Sequence, residues 1–218
     1  MQINKNLGRR RQQWFLLWIM VLTVALGWKY PLMGFAVPVV IITGLTSSFF
    51  RGRYLCGNLC PRGSFMDKVM VLASPSRNIP AYVRNMWFRR AVVLGLIGFM
   101  FYRGFQEPLN PYHWGNVFWM LCAVTTGVAI FLGLFVHQRT WCSFCPIGTL
   151  QNIIGGGREH LQIDGERCRE CRLCENVCAI NLSIIDHKDS GELANRDCLK
   201  CSKCIGVCPN GALSWPTG

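Results

Sequence analysis

Thirteen cysteines in 218 residues are the side chains best placed to do chemistry. Eight of them fall in one short stretch. It reads C-R-E-C-R-L-C-E-N-V-C from Cys168 to Cys178, then nineteen other residues, then C-L-K-C-S-K-C-I-G-V-C-P from Cys198 to Pro209. Each half is a run of Cys-x2-Cys-x2-Cys-x3-Cys. Three thiolates at such short intervals wrap one iron–sulfur cubane closely, and the fourth ligand must come from elsewhere. Zinc and disulfides are the competing uses of clustered cysteine. Zinc sites take four ligands and commonly include histidine, and no histidine lies inside either run. The spacing therefore favours paired clusters.

The stretch resembles a bacterial-type two-[4Fe-4S] ferredoxin domain, a small α+β unit of roughly 50 residues, in which the fourth cysteine of each run crosses to the other cluster. That resemblance implies Cys168, Cys171, Cys174 and Cys208 on one [4Fe-4S] cluster, and Cys198, Cys201, Cys204 and Cys178 on the second. One departure is Ala179, which follows Cys178 where proline is usual. It loosens a turn without removing a ligand.

Four more cysteines form an internal repeat. Arg53 to Phe65 reads R-Y-L-C-G-N-L-C-P-R-G-S-F, and Arg139 to Leu150 reads R-T-W-C-S-F-C-P-I-G-T-L. Both follow Arg-x-x-Cys-x(2–3)-Cys-Pro-x-Gly-(Ser/Thr)-apolar, and both follow an apolar run. Pro61 and Pro146 suit helix starts, where free amides favour negative charge on sulfur. Two such elbows entering from one side could bring Cys56, Cys60, Cys142 and Cys145 together. Three readings stay open for them: a third Fe–S cluster, cysteines packed as small apolar residues, or a redox-active thiol pair. The remaining cysteine, Cys122, reads as packing.

The elements that would position these groups are apolar. Hydrophobic residues make up 51% of the chain and charged residues 16%, a membrane-like balance. Charge-free runs extend over 14–28 and 30–50, with Lys29 between them. A third, 91–102, lies between Arg90 and Arg103; it spans a bilayer only if Trp87 and Phe88 join it while Arg89 and Arg90 snorkel. The fourth covers 116–136. Tyr82 to Arg90 reads as an interfacial turn, and Ser74-Pro75-Ser76 as irregular chain. Trp14 and Trp28 belong at headgroup depth. The net charge is +12. Residues 1–154 hold fifteen Lys/Arg against two acids, and 155–218 hold eight against nine. The excess basicity thus lies beside apolar runs, which points to a lipid bilayer and argues against nucleic acid. Arg9-Arg10-Arg11 before an apolar run imitates a signal peptide, but no small-x-small site follows and a second apolar run does.

The expected architecture is a membrane α-helical domain over 1–154, with four transmembrane helices in two repeated hairpins, followed by the ferredoxin domain over 155–218. Gly155-Gly156-Gly157 reads as a flexible joint. Lys/Arg in the N-terminus, the 51–90 loop and the segment after Val136 predict cytoplasmic N- and C-termini in a prokaryotic inner membrane. Reduced cysteines agree with that side.

Elbows after paired helices with a two-cluster tail resemble the polytopic membrane ferredoxins of nitrate and nitrous-oxide reductase systems, the NapH/NosR type, over 14–209. The second elbow is one residue shorter than Cys-x3-Cys-Pro, and no large periplasmic flavin-carrying domain is present, which turns away from the NosR member. The resemblance implies an electron-transfer subunit of a quinol-dehydrogenase-type oxidoreductase. It would work between the quinone/quinol pool and other redox subunits of a larger complex, and would not be a stand-alone enzyme. The alternative is an accessory or maturation protein supplying electrons to assemble or reactivate a metalloenzyme. Polar groups at the interfaces are the quinol candidates: His137 and Asp67 inside, Glu107 and His113 outside.

Overall fold

The computed structural model describes residues 2–75 and 77–216, with side chains from residue 11 onward. Ser76 and the side chains of Lys5, Arg9 and Arg10 lie outside the described residues.

The chain opens with helix α1, Gln2–Leu26. Pro31 then starts a 3-10 turn, Pro31–Phe35, that leads into α2, Ala36–Arg51. Two short helices make the first elbow: α3, Tyr54–Asn58, and α4, Pro61–Lys68. The second half repeats the order with α5, Met86–Gly104; α6, Pro111–Phe135; α7, Thr140–Phe144; and α8, Pro146–Gly155. Side-chain caps start both long helices of this half. Asn85 Oδ1 accepts from Trp87 N at 3.0 Å, and Asn110 Oδ1 accepts from Tyr112 N at 3.0 Å. Such caps contribute about 1 kcal/mol each.

Pro31–Arg51 and Pro111–Phe135 are long and apolar enough to cross a membrane. Their outer faces are bare hydrocarbon: Val39, Ile42, Val124 and Phe131 are exposed. Water would penalise so broad an apolar surface, and lipid would not. Arg11–Leu26 is apolar but shorter, and α5 carries Arg89, Arg90 and Arg103.

Helix α5 corrects two expectations. The segment before Arg90 is a short 3-10 turn, Ala81–Arg84, and then the helix itself, because the Asn85 cap starts it at Met86. Arg89 does not snorkel. It is 1% exposed and turns inward, since a carboxylate waits there.

The elbows fold back alongside the long helices. Helix α8 lies along α2 with Ile147 level with Gly44 and Gly155 against Ser48 and Gly52. Its proline end therefore sits deeper than the end of α2. In the same way Arg62 reaches Thr125 in the middle of α6, while the Met70 methyl approaches Gly133 further along. Cys122 is not isolated, for Arg62 Nη2 lies 3.7 Å from its sulfur.

The triple glycine is not a loose tether. A Cβ on Gly155 would lie 1.9 Å from the Ser48 carbonyl oxygen, so two backbones touch there, and α8 extends through Gly155. Only Gly157 has open space around it.

The tail folds on a three-stranded antiparallel sheet in the order β2-β1-β3, with β1 Leu161–Ile163, β2 Glu192–Leu193 and β3 Leu213–Ser214. Two single-turn helices complete it: α9, Leu173–Asn176, and α10, Lys203–Val207. Leu161, Ile163, Ile180, Leu182, Ile184 and Leu193 form its core, and Ile79 from the first half joins them.

Candidate metal centres

The two cysteine runs fold as near copies. In each, the residues on either side of the middle cysteine are left-handed: Glu170 and Arg172 about Cys171, with φ of 53° and 58°, and Lys200 and Ser202 about Cys201, with φ of 51° and 57°. Non-glycine residues adopt this region at a cost, and consecutive turns of this kind point several backbone N–H groups into one concavity suited to an anion. The fourth cysteine of each run receives an N–H from four residues on. Leu182 N donates to Cys178 Sγ at 3.4 Å, and Ala212 N donates to Cys208 Sγ at 3.3 Å.

Two cavities result. Cys168, Cys171, Cys174 and Cys208 line one. Cys178, Cys198, Cys201 and Cys204 line another. Each takes three cysteines from one run and one from the other. Ile184 borders both. Burial pushes the Cys198 thiol up to about 11. It raises Cys204 as well, and there the adjacent Cys201, Cys198 and Cys178 add to the shift. Among the described residues, no three His, Cys, Asp or Glu converge as a single ion would need. A cubane spreads its four thiolates over four irons, and the wider cysteine sets fit that.

The elbows fit together reciprocally. Arg53 of the first unit donates from Nη2 to the Cys142 carbonyl at 2.7 Å, and Arg139 of the second donates from Nη1 to the Cys56 carbonyl at 3.2 Å. Each guanidinium fills the gap left by a glycine of the other unit. A Cβ on Gly148 would stand 2.5 Å from Arg53 Nη2, and one on Gly63 would stand 2.8 Å from Arg139 Nη1. The arginine and glycine shared by the two repeats thus have a cause: they exchange partners across the pair. Ser64 and Thr149 hydroxyls donate to the Cys60 and Cys145 carbonyls at 3.1 Å and 3.0 Å, steadying the start of α4 and α8.

All four elbow cysteines share one electrostatic neighbourhood. Burial raises the Cys56 thiol to about 12; Arg53 opposes this, while Cys60, Cys145 and Cys142 add to it. Cys60 accepts from Gly63 N at 3.5 Å, and Cys142 faces Arg139 Nη1 at 3.5 Å. Cys56 donates to Gln151 Oε1 at 2.9 Å. Arg53, Arg89 and Arg139 are each 1% exposed, an unusual burial for guanidinium. Two carboxylates answer them. Asp67 pairs with Arg139 at 2.8 Å, and Asp197 pairs with Arg53 and Arg89 at 2.8 Å each. Positive charge is in surplus. Buried donors are also left without acceptors among the described residues: Arg53 Nε, Arg62 Nε, Arg89 Nη2 and Trp141 Nε1. An anionic thiolate-ligated cluster would answer both imbalances.

The tail sits directly on the elbows. A Cβ on Gly57 would lie 2.0 Å from the Leu199 carbonyl oxygen and 3.3 Å from Cys201 Cβ. Asn58 Nδ2 donates to the Lys200 carbonyl at 3.1 Å, and Lys203 Nζ donates to Asp67 Oδ1 at 3.1 Å. Cys56 packs against the tail core. The cavity containing Cys201 is therefore proximal to the elbows, and the cavity containing Cys171 is distal.

The quinol candidates divide into two places. Asp67 and His137 lie beside the elbows. Burial opposes ionisation of Asp67, but Arg139 and then Lys203 outweigh it and hold its carboxyl well below the usual range. Burial lowers His137, whose Nδ1 accepts from Arg139 N at 3.1 Å. At the other end, His113 Nε2 lies 2.8 Å from the Arg103 carbonyl, and Glu107 accepts from Asn110 at 2.9 Å. Three important residues escaped the sequence reading: Asp197, Asn152 and Gln151. Only position relative to Cys198 and Cys145 hinted at them.

A family model described as a 4Fe-4S binding domain matches residues 33–80 and 116–163. Each match runs from a long apolar helix through one elbow, so the two coincide with the repeated units. The chain is 28% identical over 204 residues to the ferredoxin-type protein NapH of Escherichia coli K12, covering 82% of this chain and 68% of that one. An uncharacterized protein of Methanocaldococcus jannaschii is 28% identical over 185 residues, covering 80% and 68%. NAD(P)H-quinone oxidoreductase subunit I of Gloeobacter violaceus is 27% identical over 67 residues, covering 26% and 32%. No solved structure matches the chain.

Proposed function

We propose that this NapH-like, ferredoxin-type chain carries electrons between the quinone/quinol pool and other redox subunits of a larger complex. In this reading α1, α2, α5 and α6 all span the inner membrane, both termini are cytoplasmic, and the tail faces the cytoplasm. Its two cavities hold [4Fe-4S] clusters, and the elbow cysteines hold a third. Such groups supply one-electron transfer at potentials tuned by burial and by hydrogen bonds to sulfur.

One observation carries the reading: the loop of the proximal cavity packs on Cys56 and Gly57 of the first elbow, and Ile184 borders both tail cavities. In this reading the three cysteine sets follow one another from the membrane outward. The protein's own residues do the rest. Arg53 and Arg139 hold the elbow backbones in register, Leu182 N and Ala212 N donate to ligand sulfurs, and the buried guanidiniums favour negative charge. The apolar core of the tail packs against the proximal set.

Iron and sulfide analysis of the purified chain tests the site count, since two cubanes bring about eight iron atoms and three bring about twelve. A C56S/C142S variant should lose the difference and no more. A menaquinol analogue, added with partner subunits present, should then reduce at least one cluster by EPR. If no cluster is reduced, the quinol assignment fails, whatever the iron count.

A further inference from the structure

From the Cys-Pro step onward the two elbow units align without a gap, and only one of them carries a carboxylate at the second turn of the helix that leaves each one. The seventh residue after Cys60 is Asp67, and the seventh after Cys145 is Asn152. Asp67 neutralises Arg139, the guanidinium inserted by the opposite unit. Arg53, inserted the other way, finds an amide at the equivalent place. Its carboxylate comes from outside the repeat. Asp197 Oδ1 accepts from Arg53 Nη1 at 2.8 Å, Arg89 Nη1 at 2.8 Å and Asn152 Nδ2 at 2.7 Å. Its Oδ2 accepts from Arg89 Nη1 at 3.0 Å, and its backbone carbonyl accepts from Arg53 Nη1 at 3.3 Å.

We propose that Asp197 is the positioning residue that seats the ferredoxin tail, by supplying the carboxylate that the second elbow lacks. Arg53 and Arg89 are both buried, and without Asp197 two guanidiniums would be left there with no counter-charge. The elbow is therefore electrically complete only with the tail in place. Asp197 immediately precedes Cys198, so the same contact fixes the proximal cysteine loop over Cys56 and Gly57. Asn152 matters as much. Its amide donates to Asp197, so residues 152 and 197 form one hydrogen-bonded pair between α8 and the tail, beside Arg53 and Arg89. The seating follows from the ion pairs alone; its consequence for electron transfer rests on the function proposed above.

A cross-domain swap tests this in the full chain, purified in detergent. The readout is tryptic cleavage after Arg158 in the joint, whose carbonyl Lys200 Nζ holds in the seated tail, together with iron content. Asp197→Asn should increase the cleavage rate on the order of a hundredfold, because removing one partner of a buried pair leaves the others uncompensated and cleavage follows the open population. Asp197→Asn combined with Asn152→Asp keeps the charge and the amide while exchanging their places, and should restore most of the protection. Asp189→Asn, an exposed change in the same tail, should do nothing. If Asp197→Asn is cleaved like the parent, or if the swap is cleaved as fast as Asp197→Asn, the proposal is overturned. Should Asp197→Asn also lose iron, recovery of iron and protection in the swap supports seating, and failure of both overturns it. Neither readout involves quinol, so this result and the quinol result stand apart.

Discussion

Cys201 and Cys171 hold the same place in the two tail loops, each between two left-handed residues, yet their surroundings differ. Cys201 lies against Gly57 of the first elbow, and Cys171 is exposed. The flanking residues follow suit. Leu199 is buried in the docked loop, where Arg169 at the equivalent position points to solvent; Ser202 accepts from Trp215 Nε1 at 2.8 Å, where Arg172 is exposed. The cysteines and the backbone turns are common to both loops because they shape the concavity. The residues between them differ because one loop is covered by protein and the other by water. Ligand spacing thus tells what a loop can hold, and the spacer residues tell which way it faces.

The sharpest way to break that comparison is to test the exchange of ligands. Cys178→Ser, although it lies in the first run, should empty the proximal cavity and spare the distal one, while Cys208→Ser should do the reverse. Each should remove about four iron atoms, seen as loss of one cluster's EPR signal while that of the other tail cluster stays. If each serine empties the cavity of its own run, the crossed arrangement is wrong. Next in size is Asp67→Asn, which leaves Arg139 buried without its carboxylate and takes the Lys203 contact from the proximal side. It should cost about 3–5 kcal/mol in denaturant unfolding. Gly57→Ala pushes a methyl into the Leu199 carbonyl and should cost about 1–3 kcal/mol. Faster amide exchange should appear around residues 198–202 and not around 168–172. Smallest is Arg169→Leu, which gives the distal loop the proximal residue at an exposed place. No measurable shift of the unfolding midpoint is expected.

Much of this was legible in the chain. The cysteine runs were plain, and so was the doubled Arg-x-x-Cys…Cys-Pro-x-Gly pattern. The purpose of its arginine and glycine was not, because each serves the other copy, and Arg53 meets Gly148 only in three dimensions. Arg89 looked like a snorkelling residue since its partner, Asp197, lies 108 residues away. Asp67 read as an interfacial quinol candidate for the same reason; Arg139 is 72 residues on and Lys203 is 136. The three glycines signalled flexibility by composition, whereas Gly155 is there to let two backbones touch. Short-range patterns reveal ligands and turns. Buried charge pairs join distant segments and leave no local trace.

The exchange of arginine for glycine between the two units has a further consequence. One hairpin with its elbow, taken alone, carries a cation with no acceptor and a notch with no occupant. Two identical hairpins would complete each other about a two-fold axis, as subunits do in an isologous pair. The helical part of this chain, α1 through α8, is in that sense a dimer written into a single polypeptide. Because the copies are joined end to end and to the tail, one of them can carry an amide at 152 and take its carboxylate from Asp197.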